Sequence, residues 1–302
     1  MWGSIDDRLR RLAARLDEAL LTGLAGDRIS VPVRIPDVGR MAFYLHDKPD
    51  IWISDVIRKG DLFDWQVMTL LKLLTNLGDT FLDIGANIGW FSVIGSRLVS
   101  ERGAVIAVEP DPDNYRLLQL NVLGNRCTNV TSLAVAAGAS SGVASLSRSP
   151  DNQGDHRLEI STDRSDIVPV PVRRLDDFIG PGDGFRPINV IKIDTQGSET
   201  AVIKGLSATL ADSPLARIVL EYWPYGLERC GSSARELIDV LERESFLLWR
   251  IQPDASLRSM SSDDLLALAE GPLHPDSQHF ADLVAVSATD LDGVSLMRSR
   301  EA

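Results

Sequence analysis

The chain has 302 residues, 44% hydrophobic and 25% charged, which supplies a full core for one large domain or two modest ones. A formal net charge of −12 argues against a nucleic-acid partner, because phosphate binding asks for a clustered basic surface. No apolar run reaches the roughly 20 residues of a membrane span. The start MWGSIDDRLRRL lacks the apolar core of a signal peptide. Cys127 and Cys230 are too few for a disulfide framework or a zinc cluster. The composition describes an acidic cytoplasmic protein.

Residues 5–24 read as an amphipathic helix, with Ile5, Leu9, Leu12, Leu16 and Leu20 at helical spacing. Ser4 and Asp7 suit its start and Gly26 its stop. Its apolar stripe can pack on its own domain or serve as a homodimer face. VPVRI (31–35) and MAFYL (41–45) predict a hairpin around Pro36, Asp37 and Gly39. The stretch 63–77 predicts a helix with Trp65, Met68, Leu71 and Leu74 on one face.

FLDIGANIGW (81–90) then carries the strongest signal. A short apolar strand ends at Asp83, breaks into a loop bracketed by Gly85 and Gly89, and opens a helix at Trp90. Glycines without a Cβ let a ligand approach the backbone, and a helix N-terminus offers it free N–H groups. A second strand, GAVIAVEPD (103–111), places Glu109 where a ribose-binding acid is expected. The spacing is D-x-G-x-x-x-G, not the G-x-G-x-x-G that seats a pyrophosphate. With an acid before it and Ala86 and Asn87 inside it, the loop suits a ligand bearing an ammonium and a sulfonium, as in S-adenosylmethionine.

From there strand and helix alternate: strands near 80–84, 104–109 and 130–135, helices near 88–99 and 112–124. Such alternation predicts a doubly wound α/β sheet with helices on both faces. Residues 136–187 break the rhythm, with strand-like GVASLS (142–147) and DIVPVPVRRL (166–175). An insertion at the carboxyl ends of such strands is where specificity tends to sit. INVIKIDTQGSE (188–199) resumes with a strand ending at Asp194, and ARIVLEYWP (216–224) with one ending near Glu221. A Ser233/Glu236 capping box opens a helix at 233–243, and FLLWRI (246–251) and ADLVAVS (281–287) read as closing strands. The organisation expected is an N-terminal extension, 1–60, and one domain, 61–302, with 136–187 as its specificity insertion.

Taken together, FLDIGANIGWFS (81–92), AVEPDPDNYRLLQLN (107–121), LDDF (175–178), IKIDTQGSE (191–199), KGL (204–206) and LEYWP (220–224) resemble the FkbM family of S-adenosylmethionine-dependent methyltransferases. The resemblance implies the class I methyltransferase fold, a Rossmann-like seven-stranded sheet whose last two strands form an antiparallel hairpin. It also implies methyl transfer to an oxygen, often on a sugar, glycolipid or polyketide. The chain departs from the family's usual D-V-E-G with Asp194, Thr195, Gln196 and Gly197, and carries Gln66 where an acid often follows an aromatic such as Phe63.

On this reading Gly85, Ala86, Asn87 and Gly89 wrap the methionine part of the cofactor, Asp83 reaches its ammonium directly or through water, and Glu109 accepts both ribose hydroxyls. Asp194 is a base, a substrate orienter, a cofactor ligand or a helix N-cap. Glu221 is catalytic or structural, with Tyr222 and Trp223 as candidate substrate walls. His156, in the insertion's DNQGDHRL, is the alternative general base. His46, His274 and His279 get no role, and Asp176 and Asp177 cap a turn. No metal is expected. The acceptor expected is a small polar hydroxyl compound, since an aromatic content of 6% leaves a large flat one little to stack on. An NAD-dependent oxidoreductase and a non-catalytic cofactor-binding scaffold are the competing readings.

Overall fold

A computed structural model describes residues 20–23, 25–160, 164–179 and 187–301; most of the predicted N-terminal helix lies outside them. After the helical residues 20–23 comes a hairpin of β1 (Val31–Ile35) and β2 (Gly39–Phe43). The central strands are β3 (Thr80–Ile84), β4 (Ala104–Val108) and β5 (Val130–Leu133). The insertion folds as a separate three-stranded sheet of β6 (Ala136–Ala137), β7 (Gly142–Ser147) and β8 (Ile167–Arg173). β9 (Val190–Ile193), β10 (Arg217–Tyr222), β11 (Phe246–Ile251), β12 (Leu257–Met260) and β13 (Ala281–Ser287) complete the main sheet.

The main sheet runs β12-β11-β13-β10-β9-β3-β4-β5. This is the class I methyltransferase order, with β13 inserted antiparallel between β10 and β11. It has eight strands rather than seven, because Leu257–Met260 pairs with β11 as an added edge. β11 and β13 are antiparallel neighbours but not a tight hairpin: β12 and the helix Ser262–Glu270 lie between them in sequence. That helix carries the reciprocal capping box, at Ser261 and Asp264. At the predicted box, Ser233 accepts from the Glu236 amide, while the Glu236 side chain turns to Lys204 and Ser232.

The buried strands separate two cores by their period of two. Phe81, Val190, Val219 and Val284 face one cluster, with the helices Trp65–Leu74 and Trp90–Val99 and the hairpin residues Phe43 and Ile35. Leu82, Ile191, Leu220 and Leu283 face the other, with the helix Ala234–Arg243. Asp176, predicted to cap a turn, caps the helix Ser207–Asp212, accepting from the Ala208 and Thr209 amides.

The hairpin is fastened by two side-chain amides one turn apart, one in the last turn of the helix Pro112–Gly124 and one at its C-cap. Asn121 accepts from the Tyr44 N–H (2.6 Å) and donates to the carbonyls of Tyr44 (3.1 Å) and Ile88 (2.7 Å). Asn125 does the same for Ala42 at 3.0 and 2.7 Å. The side chains thus replace a missing strand along this edge. Because Asn121 is fully buried, Asn121→Ala leaves three backbone groups without partners. At roughly 1–3 kcal/mol for each buried group left unmade, it should destabilise the protein by about 3 kcal/mol in urea unfolding. A loss below about 1 kcal/mol would show that the edge is held by packing alone.

Candidate active site

The carboxyl ends of β3, β4, β9 and β10 open into a cavity of about 570 Å³, within the size range of cofactor clefts. One end is lined by Gly85, Ala86, Asn87, Ile88, Glu109 and Asn114, the other by Asp64, Lys192, Asp194, Gln196, Glu221 and Asp282. His156 lines it from the insertion, and Phe63 and Gln66 from the N-terminal side.

The loop after β3 differs from expectation in how it uses its amides. Gly85 and Ala86 N–H both donate to the Val108 carbonyl, Asn87 N–H to Glu109 and Gly89 N–H to Ala86. The loop is therefore wired to β4 and presents no free N–H row to a ligand. Gly85, at φ +80°, is needed for a backbone approach: a Cβ there would lie 1.8 Å from the Asp194 carbonyl oxygen. Gly89, at φ +83°, lies outside the cavity lining, and a Cβ there would meet Leu118 at 2.6 Å. These two glycines lock the loop onto its neighbours.

Glu109 is buried, its oxygens accepting the amides of Asn87 and Asp111 at 2.8 Å each. The Asn114 side chain also reaches this carboxylate, which keeps lone pairs for ligand hydroxyls. Burial, offset in part by the Asp111 amide, pushes its carboxyl up to about 8. Asp83 is fully buried beneath the loop, accepts from Ser92 Oγ at 2.5 Å and lies outside the lining. Its Oδ1 has no hydrogen-bond partner. Burial raises its carboxyl while Lys192, its neighbour in the β3–β9 register, opposes the rise.

Lys192 was not singled out in the sequence. It interrupts the apolar run of β9, is nine-tenths buried and pairs with Asp194 at 3.0 Å over the Phe91 ring. Burial works against its charge, but Asp194, Asp83 and Asp64 hold the ammonium above its ordinary range. Gln196, at φ +54°, donates to Asp194 (2.7 Å) and to Glu221 (3.0 Å). Asp194 thus accepts from both neighbours and caps no helix; Glu199 instead takes the Thr195 and Gly197 amides. Asp64 and Asp282, also unforeseen, complete a ring of carboxylates. The period-two parity of β9, β10 and β13 is the signal that would have found Lys192 and Asp282.

The same parity corrects the proposed substrate walls. If Glu221 faces the cavity, Tyr222 must face the other core, and it does, with its hydroxyl on the Leu265 carbonyl at 2.9 Å. Trp223 is also outside the lining, stacked under Arg157. The premise that aromatics are scarce fails locally, since Trp52, Phe63, Trp90, Phe91 and Phe280 all line the cavity.

His156 accepts the Ser149 N–H through Nδ1 at 3.1 Å, so a neutral ring carries its proton on Nε2. Burial lowers its pKa, favouring that neutral form. Nearby, the Gln153 carbonyl accepts from Asn87 (2.8 Å) and Asn114 (3.1 Å), and its side chain donates to the Pro49 carbonyl. The insertion thus closes this end of the cavity against both the glycine loop and the N-terminal segment. Among the described residues, no group of three His, Cys, Asp or Glu is arranged to hold a metal ion, and no helix is long and apolar enough to cross a membrane.

The chain is also similar to known proteins. The family model described as "Methyltransferase FkbM domain" matches residues 83–248, more than half of the chain. The chain is 29% identical over 230 residues to the hexuronic acid methyltransferase AglP of Haloferax volcanii, covering 74% of this chain and 92% of that protein. It is 25% identical over 147 residues to Methyltransferase 1 of Beauveria bassiana, covering 42% of this chain and 59% of that one. Among solved structures, Aeropyrum pernix fibrillarin with bound S-adenosylmethionine aligns at TM-score 0.42 and 15% identity, over 86% of this chain and 96% of that one. The acid-glycine loop, the acid ending β4 and the strand order converge with the family match: the chain belongs to the FkbM methyltransferase family.

Proposed function

We propose that the protein transfers a methyl group from S-adenosylmethionine to a hydroxyl of a small polar acceptor: a sugar, a glycolipid or a natural-product glycoside. The observation that carries this reading is Asp194, set in the cavity beside the glycine loop with its carboxylate oriented by Lys192 and Gln196. The similarity to AglP, a hexuronic acid methyltransferase, supports a sugar-type acceptor.

The cofactor fits the residues present: Glu109 has lone pairs left for the ribose, and the cavity has room beside the loop. When bound, it would supply an activated methyl on a sulfonium whose leaving group is a neutral thioether. The chain's own task is to place the oxygen and take its proton. Asp194 is the better-placed acceptor of that proton, because its carboxylate has open lone pairs in the cavity. His156 offers a donor instead, since using Nε2 as a base would require the other tautomer and cost the Ser149 bond. We assign it to orienting the acceptor oxygen.

Methyl transfer from labelled S-adenosylmethionine to a panel of glycans and glycosides tests this reading. Asp194→Asn should lower turnover by about 10²–10⁴-fold, the usual worth of a general base, while S-adenosylhomocysteine still binds. His156→Ala should cost no more than about tenfold. A loss beyond about 100-fold in His156→Ala, with Asp194→Asn near wild type, would reverse the two roles.

Glu109 gives a separate pH signature. Accepting two ribose hydroxyls favours the ionised carboxylate, whereas burial in the free protein holds it protonated up to about 8. Affinity for S-adenosylhomocysteine should therefore climb as pH rises from about 6 to 8, at most tenfold per unit, and level off above. The climb should come with proton release in calorimetry. Glu109→Gln should remove the slope and weaken binding by about 1.5–3 kcal/mol. A flat wild-type profile would contradict the ribose role.

A further inference from the structure

The far end of the cavity holds more hydrogen-bond acceptors than the protein satisfies. Glu221 and Asp282 are direct partners across the β10–β13 ladder, so their side chains stand on the same face of the sheet. Both line the cavity, and Glu221 is only 9% exposed. Glu221 Oε2 accepts from Gln196, but its Oε1 and both oxygens of Asp282 accept no hydrogen bond among the described residues. Asp64 and Asp194 face the same space.

The cations at this end offset them through space, without a hydrogen bond to either. Lys192 is committed to Asp194 at 3.0 Å. Arg250 attracts Asp282 through space without a hydrogen bond to it. Burial, followed by the charge of Asp194 for Glu221 and of Asp64 for Asp282, pushes both carboxyls well above their usual range. Among the described residues the pair thus makes no ion pair and has Gln196 as its one hydrogen-bond donor. A further carboxylate brought in by a ligand would add unpaired acceptors, whereas hydroxyls or an ammonium would supply donors. Trp52 and Phe280, 55% and 50% exposed on the same lining, offer flat apolar faces against which a ring can lie.

We infer that Glu221 and Asp282 determine acceptor specificity, selecting a hydroxyl- or amine-bearing ring compound that carries no anionic group. The inference rests on the methyltransferase reading and narrows it. It also separates this protein from a uronate methyltransferase, since the substrate named for AglP carries a carboxylate.

Two cofactor analogues test the charge preference without a known acceptor. In S-adenosylhomocysteine the sulfur is neutral; in sinefungin an amine-bearing carbon replaces sulfur and methyl, bringing an extra ammonium to the transfer position. By calorimetry, sinefungin should bind at least about tenfold tighter than S-adenosylhomocysteine, a difference of about 1.4 kcal/mol. In the near-isosteric double variant Glu221→Gln/Asp282→Asn that advantage should fall below about threefold, with S-adenosylhomocysteine affinity nearly unchanged as the control for folding. Equal affinities in the wild type, or an undiminished advantage in the variant, would overturn the inference. If neither analogue bound at all, the methyltransferase reading itself would fail. Glucosamine and glucuronate, each added to the S-adenosylhomocysteine-loaded protein, give the acceptor side. A larger rise in melting temperature with glucosamine supports the inference, and a larger rise with glucuronate overturns it.

Discussion

A single buried ammonium organises the acidic face of this site. Asp83, Asp194, Glu221 and Asp282 come from four strands but share one side of the sheet with Lys192, by the alternation of each strand. Carboxylates gathered this way would be costly to bury without a counter-charge. Lys192 supplies it, with Asp194 in contact, Asp83 beside it in register and the Phe91 ring against its ammonium. Gln196 adds the second restraint. A Glu there, as in the family's usual motif, would set a third carboxylate against Asp194 and Glu221; the amide donates to both.

Rigid loops frame that charge arrangement. Gly85 allows the loop after β3 to sit against the Asp194 carbonyl, so the glycine loop and the Lys192–Asp194 end of the cavity are joined through the backbone. The loop's amides are spent on Val108, Glu109 and Ala86, which fixes its shape before any ligand arrives. Preorganisation of this kind reduces the ordering cost of binding. Asp64, Asn87 and Gln196, three non-glycine residues of the lining, adopt positive φ. Such conformations persist where surrounding structure enforces them, and they gather at functional sites.

Much of this was legible in the sequence because it depends on local pattern. The apolar strand, the acid, the glycine pair and the following helix are contiguous in 81–94, and Glu109 follows from the next strand's end. The β10–β13–β11 arrangement came only with the family resemblance, since pairing order is not written in any local period. Lys192, Asp64 and Asp282 were missed because each is an unremarkable charged residue until four strands and a helix meet. Tyr222 was misassigned for a simpler reason: two adjacent strand residues cannot both face one cavity. The loop amides were misjudged because a glycine turn reads alike whether its N–H groups point at a ligand or at the neighbouring strand. Composition misled as well, since a low aromatic content says nothing about where the aromatics gather.

On the proposed function, the cofactor spans the cavity from Glu109 to the Lys192–Asp194 pair. A crystal structure with S-adenosylhomocysteine tests it most directly. Both ribose hydroxyls should lie within hydrogen-bond distance of Glu109, the sulfur on the side of Asp194, and the amides of Asn87 and Asp111 still on the Glu109 carboxylate. Density with the ribose away from Glu109, or with the sulfur turned from Asp194, would contradict it.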